Sequence, residues 1–182
     1  MIVTPKLTVD RFDHLQAGDL FLFQLRSDEP GVALVAKSPS PDSKKMSLLL
    51  GPRFPRGEVT GPQVSLALGP DVAAASLGNE FSIRLPVDAA NWTRRDPASE
   101  RPTLLVMGAK IYFRAIWDIP SIGSDFYFID ASNGLIEPIS GIPVNQVRAP
   151  REPYLFAIAW EIVTTEPEPR SILKYPLPPT AN

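Results

Sequence analysis

Four carboxylates stand in one stretch of the second half of the chain with no lysine or arginine among them: Asp118, Asp125, Asp130 and Glu137. Oxygen ligands suit hard cations such as Ca²⁺ and Mg²⁺, and paired carboxylates also carry out acid–base hydrolysis. The same residues fall at predicted strand ends and turns, where an aspartate caps its own backbone. We therefore expect turn capping and neither a metal site nor a cofactor. A carboxylate-based hydrolase or lyase around Asp118, Asp125 and Asp130 is an alternative.

The chain has few of the residues and motifs that other kinds of catalysis require. The single histidine, His14, follows Asp13, and a carboxylate can orient an imidazole as a general base. A surface histidine near a helix end is the interpretation we favour. Cysteine is absent, which excludes thiol catalysis, disulfides and cysteine-bound metals. No two glycines are two residues apart, so the glycine-rich nucleotide-binding motifs are absent as well.

A basic cluster is the main candidate for binding an anion. Its members are Lys44, Lys45, Arg53 and Arg56. Phosphates, an acidic protein surface or single-stranded nucleic acid would suit such a cluster, and a solvated loop is the alternative. The whole chain of 182 residues carries a net charge of -2, and each half holds 9 basic and 10 acidic residues. This balance disfavours binding to duplex nucleic acid.

Aromatic residues are the candidates for binding a small ligand. A closed β-fold can hold a cavity at its mouth, and five aromatic residues of the predicted strands would line it. These are Tyr112, Trp117, Phe126, Phe128 and Trp160. Ordinary core packing is the competing interpretation.

Strand patterns position all of these candidates. Residues 20–26 and 32–37 form two apolar runs around a turn, and 81–85 and 110–117 alternate between apolar and polar residues. Asn133-Gly134 between two apolar runs predicts a hairpin over 126–139. The run 154–163, which begins at Tyr154, predicts one long strand that is apolar on both faces. Short helices are predicted at 8–16 and 71–77, and the 21 prolines interrupt every longer helical pattern.

The predicted fold is mainly β, an antiparallel barrel or sandwich with one or two short helices. Residues 1–163 form a single compact domain in this prediction. The halves 1–90 and 91–163 resemble each other at an offset of 90 residues, which is consistent with two similar β-units or with shared turn chemistry alone. Residues 164–182 form a proline-rich arm, which we expect to lie extended on a β-surface. Its anchors would be Ile172, Leu173, Tyr175 and Leu177.

These patterns favour a non-catalytic interaction, assembly or accessory protein. We expect contact with a protein partner or with a second copy of the chain, through residues 154–163 and the C-terminal arm. For the surface on which the arm lies, we slightly favour a neighbouring copy over the same chain. A small-ligand-binding barrel is the first alternative. The longest strongly apolar run has seven residues, so we expect no membrane span, and the absence of a signal-like N-terminus favours the cytoplasm. Arginine outnumbers lysine 12 to 6, which favours a bacterial source.

Overall fold

A computed structural model describes most of the chain. It covers residues 8–24, 30–38, 44–51, 63–65, 71–94, 103–119, 123–137, 153–165 and 167–175. At 63–65, 116–119 and 123–126 it describes the backbone alone. Arg53, Arg56 and Leu177 therefore lie outside the described residues.

Fifteen strands and two 3-10 turns make up the regular structure of these residues. The strands are β1 (Thr8–Arg11), β2 (Leu20–Gln24), β3 (Pro30–Lys37), β4 (Lys45–Gly51), β5 (Gln63–Ser65), β6 (Ala73–Gly78), β7 (Phe81–Arg84), β8 (Trp92–Thr93), β9 (Leu104–Met107), β10 (Lys110–Ile119), β11 (Gly123–Asp130), β12 (Ile136–Glu137), β13 (Tyr154–Ala157), β14 (Trp160–Thr164) and β15 (Ser171–Tyr175). The turns are Phe12–His14 and Ala89–Asn91.

The strands form two sheets. The large sheet runs in the order β1-β6-β2-β3-β4-β5-β10-β9-β13-β8, and β11 and β12 extend it from β10. The small sheet has the order β15-β14-β7. Strand pairs are antiparallel except β5 with β10, where Gln63 faces Ile116. The predicted antiparallel β class is thus confirmed, and the described strands form two sheets, consistent with a sandwich, and no closed barrel.

The main core lies between the two sheets. Large-sheet residues such as Leu34, Leu48 and Phe113 are fully buried there, and they share one cluster with Trp160 and Tyr175 of the small sheet. The Trp160 ring packs 5.6 Å from Phe113 and 4.7 Å from Tyr175, measured between centroids. Removing such large apolar side chains from water is the main force that holds the sheets together.

Two smaller clusters cover the outer faces of the large sheet. One joins Phe12 of the first 3-10 turn, and Leu15 directly after it, to Phe21 and Phe23 of β2. The other consists of four buried residues of β9, β10, β11 and β13: Leu105, Tyr112, Phe128 and Phe156. Strands of the large sheet are therefore buried on both faces, which explains why β2 and β3 read as continuous apolar runs.

The predicted hairpins are present. Leu20 of β2 faces Leu34 of β3, and Ile129 of β11 faces Ile136 of β12. The turn after β11 has Gly134 at φ 70°, the left-handed conformation that Asn133-Gly134 predicted. The turn between β2 and β3 falls at 25–29, outside the described residues.

The two predicted helices are wrong. Residues 8–16 form β1 and a 3-10 turn, and residues 71–77 lead into strand β6. β6 pairs with both β1 and β2, so its backbone hydrogen bonds go to neighbouring strands. Tertiary pairing here overrides the local cap-like signals from proline and glycine. No helix in the described part of the chain is long and apolar enough to cross a bilayer.

The predicted single strand over 154–163 is also wrong. Tyr154 begins β13 of the large sheet, whereas Val163 belongs to β14 of the small sheet. A bend at residues 158–159 separates them, and the Ile158 N–H donates to Asn91 O over 3.0 Å. Both faces of the run are apolar because the chain crosses from one sheet to the other.

The C-terminal arm contributes a strand to this same chain. β15 pairs antiparallel with β14, and Leu173 and Tyr175 are 7% and 3% exposed. Tyr175 also donates a hydrogen bond to the Leu50 carbonyl of β4. Residues Ser171–Tyr175 of the arm are extended, as the sequence predicts. They lie on their own chain, however, whereas the sequence favoured a neighbouring copy.

The two halves differ in hairpin register. Leu20 faces Leu34, so an offset of 90 would place Lys110 opposite Ser124. The partner of Ser124 is instead Asp118, eight residues further along β10. The similarity at this offset concerns the order of strands and turns and does not extend to register.

Candidate functional site

A network of ionisable side chains lies where β10 begins and β11 ends. We call Lys110, Tyr112, Asp130 and Glu137 the Lys110 cluster. The Lys110 ammonium donates to Glu137 Oε1 over 2.7 Å and lies 3.4 Å from Asp130 Oδ2. The Tyr112 hydroxyl donates to Glu137 Oε2 over 2.9 Å. Three strands, β10, β11 and β12, thus contribute to one hydrogen-bonded group.

Strand register explains why these residues meet. Tyr112 lies directly opposite Asp130, and Phe128 lies opposite Glu137. Residues two apart on a strand share a face, so Lys110 and Tyr112 project on the same side as Asp130 and Glu137. The alternating pattern of β10 therefore places one lysine and one tyrosine beside two carboxylates.

The turn after β11 fixes the position of Asp130. Asp130 Oδ1 accepts hydrogen bonds from the Ser132 backbone N–H at 2.8 Å and from Ser132 Oγ at 2.6 Å. The Gly134 N–H donates to the Asp130 carbonyl over 2.8 Å, and Asn133 Oδ1 accepts the Leu135 N–H over 2.8 Å. Asp130 is 2% exposed, so its carboxylate is both buried and held in one orientation. The predicted turn-capping role of Asp130 is present in this geometry.

The surroundings of Lys110, Tyr112 and Asp130 each favour the form that the group has at neutral pH. The hydrogen bond to Glu137 is the main reason that the pKa of Lys110 is raised above its ordinary value. Burial, together with the hydrogen bond to Glu137, raises the pKa of Tyr112. Burial tends to raise the pKa of Asp130, but the hydrogen bonds from Ser132 and Lys110 together lower it below its ordinary value. At neutral pH Lys110 is therefore protonated, Tyr112 is neutral and Asp130 is ionised.

A cleft of about 330 Å³ opens beside this cluster, between the two sheets. β7 of the small sheet contributes Phe81 and Ile83 to one wall. The start of β10 and the end of β11, with their adjoining turns, contribute residues 109–111 and 130–133 to the other. The cleft therefore combines an apolar wall with a polar end formed by Lys110, Asp130 and the neighbouring turn. Its volume falls at the lower end of the range for small-molecule sites.

The structure brings together only some of the predicted carboxylates. Asp130 and Glu137 meet at Lys110, whereas Asp118 faces Ser124 and Asp125 faces Trp117 near the other end of the β10–β11 hairpin. Six residues separate Asp118 from Tyr112, the partner of Asp130, which corresponds to about 20 Å along a strand. The four carboxylates therefore do not converge on one site. No set of three or more potential metal ligands occurs within the described ranges.

The predicted aromatic lining also divides. Tyr112 and Phe128 share the outer cluster of the large sheet, whereas Trp160 packs in the core between the sheets. Phe126 faces Ile116, and Trp117 faces Asp125 across the hairpin. Of the five aromatic residues, Tyr112 alone joins the Lys110 cluster, through its hydroxyl.

Lys45 of the predicted anion site has a structural role. Its ammonium donates to the backbone carbonyls of Asp13 and Leu15, and the bond to Asp13 spans 2.7 Å. Lys44 is exposed, and the two arginines predicted with it lie outside the described residues. Lys45 thereby fastens the first 3-10 turn to β4.

His14 forms an exposed pair with a carboxylate. Its Nδ1 lies 2.7 Å from Asp10 Oδ1, and its Nε2 lies 3.8 Å from Asp13 Oδ1. The hydrogen bond from the Arg11 backbone N–H is the largest cause that lowers the pKa of Asp10, and His14 adds to it. The carboxylate partner expected for a histidine base is therefore present, but on an open surface, with the His14 side chain 55% exposed.

Sequence analysis did not identify Lys110 as a functional residue. It lies just outside the stretch that is free of basic residues, and it begins a strand that was recognised only by its apolar face. The signal that could have found it is the spacing Lys110-x-Tyr112, which places both polar groups on the opposite face of β10. Comparisons with family models, curated proteins and solved structures give no match to this chain.

Proposed function

We propose that this protein is a non-catalytic binding module, an adaptor or accessory protein that acts by contact, and that the cleft beside the Lys110 cluster is its contact site. The observation that carries this proposal is the pairing of an apolar wall, Phe81 and Ile83, with an ordered polar end. Binding sites typically have this composition, since apolar surface supplies affinity and a few fixed polar groups supply orientation. The polar end is ordered by its own hydrogen bonds before any ligand arrives.

The protonation states support binding over catalysis. A general acid or base works best when its pKa lies near the working pH. The pKa values of Lys110 and Tyr112 are raised and that of Asp130 is lowered, so all three move away from neutrality. A hydrolase or lyase around Asp118, Asp125 and Asp130 has less support, because Asp130 lies about 20 Å along the hairpin from Asp118.

Contact through residues 154–163 and the C-terminal arm has less support than contact through the cleft. β13 pairs with β9 and β8, and β14 pairs with β15 and β7. The backbone edges of both strands are therefore occupied within the chain. Leu155, with 39% exposure, is the large apolar side chain of this run that is exposed.

A variant that fills the cleft tests this proposal. Ala109 is exposed in the turn before β10 and lines the cleft, so Ala109→Trp should obstruct it without disturbing the core. Val87→Trp is the matched control, because Val87 is fully exposed and lies outside the cleft lining. The assay is a thermal-shift screen with a panel of small metabolites and short peptides, since a ligand of the folded state raises Tm.

We expect compounds that stabilise the wild-type protein and Val87→Trp but not Ala109→Trp. A panel without any such compound would contradict the proposal. Stabilisation that persists equally in Ala109→Trp would place the contact site elsewhere and overturn it.

A further inference from the structure

We propose that a second copy of this chain adds its own β7 to the free edge of β7, antiparallel and with a two-fold axis at Ser82, so that the two small sheets become one continuous sheet. This inference rests on the proposed function, because it places the contact at the apolar wall of the cleft and names the partner. Its supports are the edge of β7, the self-complementary sequence of that strand, and a row of charges on the outer face of the small sheet.

The edge of β7 offers backbone hydrogen bonds beside the cleft. Among the strands that the structure describes, β7 pairs with β14 alone. Thr164 of β14 directs its N–H toward the β15 side, so Phe81, opposite Thr164, directs its own N–H and C=O away from β14. The Glu80 carbonyl points the other way and accepts the hydroxyl of Thr165, directly after β14, over 3.1 Å. Because this orientation alternates along a strand, the outward backbone groups belong to Phe81 and Ile83.

The two edges of the small sheet differ in how well they are protected against pairing. β15 has a bulge where it passes Ile162 and Val163, and it carries Lys174. Bulges and lysines are common means by which proteins block pairing at a sheet edge. β7 keeps a regular register with β14 and contains neither lysine nor proline. β7 is therefore the edge to which a strand can add.

Backbone orientation and charge together select one register for a second β7. A two-fold interface must be complementary to itself, because the same surface contributes both sides. Hydrogen bonds across the new edge require that outward residues face each other, and these are Phe81 and Ile83. The register with Phe81 opposite Ile83 is the one that pairs opposite charges. It places Glu80 opposite Arg84 at both ends, with Ser82 facing its own copy at the centre. Residues 80–84 are therefore their own antiparallel complement.

These charge pairs would extend a row that already crosses the outer face of the small sheet. Arg84 lies opposite Glu161 of β14, with Arg84 Nη1 3.7 Å from Glu161 Oε2. On the other side of Glu161 lies Lys174 of β15. The sign of the charge thus alternates across the three strands, and the second copy's Glu80 would take the next position, beside Arg84. Opposite charges that face each other across strands stabilise a sheet, whereas like charges destabilise it.

Apolar side chains would meet on the inner face of the same sheet. Phe81 and Ile83 are only half-buried in one copy, whereas Ser82 between them is exposed. Residues that face each other across two strands project on the same side, so Phe81 of each copy would lie beside Ile83 of the other. The space that they enter is the cleft, whose lining also includes Ile111 of β10 and Ala131 directly after β11. Removing these apolar surfaces from water would stabilise the assembly.

A single cysteine tests the register on the full chain. The chain contains no cysteine, so Ser82→Cys introduces its only thiol. Ser82 would face its own copy in a non-hydrogen-bonded pair with Cα atoms about 4.5 Å apart, within the disulfide range of about 4.4–6.8 Å. Ser171→Cys is the matched control, because Ser171 is an exposed serine on the opposite edge of the same sheet. With oxidised glutathione as the oxidant, we expect Ser82→Cys to form the covalent dimer at least about tenfold faster. Equal rates in the two variants would overturn the inference.

Charge reversal tests the ion pairs. Sedimentation equilibrium over a series of concentrations measures the dissociation constant of the dimer for each variant. Arg84→Glu and Glu80→Arg should each raise this constant at least about tenfold, because each change places two like-charged pairs across the axis. The double variant restores both pairs and should return the constant to within about threefold of the wild-type value. Lys174→Glu makes the same charge change beside Glu161 but on β15, and should leave the constant within about threefold of wild type. A double variant that associates no better than the single variants would overturn the inference.

The inference and the proposed function fail in distinguishable ways. If Ser82→Cys does not cross-link selectively but a compound stabilises the wild-type protein and not Ala109→Trp, the inference is wrong and the proposed function stands. If Ser82→Cys cross-links selectively and Ala109→Trp changes neither the dissociation constant nor the response to any compound, the second copy is the partner and the cleft is wrong as the contact site.

Discussion

Among the glycines in the described part of the chain, Gly134 is the one at which an added methyl group should destabilise the fold most. Its φ of 70° is a conformation that costs an L-residue about 1–2 kcal/mol. A Cβ there would also overlap the Gly18 backbone nitrogen and the Val35 carbonyl oxygen, and it would lie 3.0 Å from Gly18 Cα. Gly18 lies in the turn before β2, and Val35 lies in β3. Their backbone atoms cannot rotate aside as a side chain would.

The overlap should break the hydrogen bonds that join each of the two turns to β3. The Gly18 N–H donates to Val35 O, and the Lys37 N–H donates to Gly134 O, each over 2.9 Å. Losing both adds about 2 kcal/mol to the backbone strain. For Gly134→Ala we therefore expect a loss of about 3–4 kcal/mol, and a decrease in Tm of about 6–16 °C for a domain of this size.

Gly78→Ala is the control that separates strain from overlap. Gly78 has φ 72°, almost the same as Gly134, but a Cβ there would meet nothing within 4 Å. We expect it to lose only about 1–2 kcal/mol. Urea denaturation followed by circular dichroism measures both values. Equal losses in the two variants would refute the argument that contact between the turns, rather than local strain, makes Gly134 indispensable.

Three further predictions concern other contacts. Lys45→Met should destabilise the protein by about 1–2 kcal/mol because two backbone carbonyls lose a charged donor, whereas the exposed Lys44→Met should have little effect; equal urea midpoints would contradict this. The pKa of Asp130 is lower in the folded protein than in the unfolded chain. The ionised carboxylate therefore stabilises the fold above the unfolded pKa, and this stabilisation is lost as pH falls through the folded pKa. Asp130→Asn should thus flatten the decline of Tm below about pH 4. Tyr175→Phe removes the donor to the Leu50 carbonyl and should lower stability by about 1–2 kcal/mol with no change in mass by light scattering, and an unchanged Tm would refute the docking of β15 on β4.

The elements predicted correctly are those specified by short-range patterns. The alternation in 110–117 placed Phe113 and Ala115 on one face, and both are fully buried in the core between the sheets. The Asn133-Gly134 turn was predicted because its left-handed backbone is a local requirement of those two residues. A pattern that depends only on neighbouring residues can be read without knowing the rest of the fold.

The elements predicted wrongly depend on distant partners. The break between β13 and β14 contains neither proline nor glycine, and a hydrogen bond from Ile158 to Asn91 holds it in place. The strand β6 has cap-like residues at both ends but is held by pairing with β1 and β2. Local propensity could not reveal either, because the partners lie tens of residues away in the sequence.

Asp130 caps a turn and also takes part in the Lys110 cluster. These two roles would compete only if they needed the same atom. A carboxylate has two oxygens that each accept more than one hydrogen bond. In Asp130, Oδ1 caps the turn through Ser132, whereas Oδ2 faces Lys110. The turn therefore fixes the oxygen that pairs with Lys110, and the residue that ends β11 also orients the Lys110 cluster. A carboxylate freed from this turn would lose its fixed direction, so the arrangement of the Lys110 cluster depends on the same local chemistry that made the hairpin predictable.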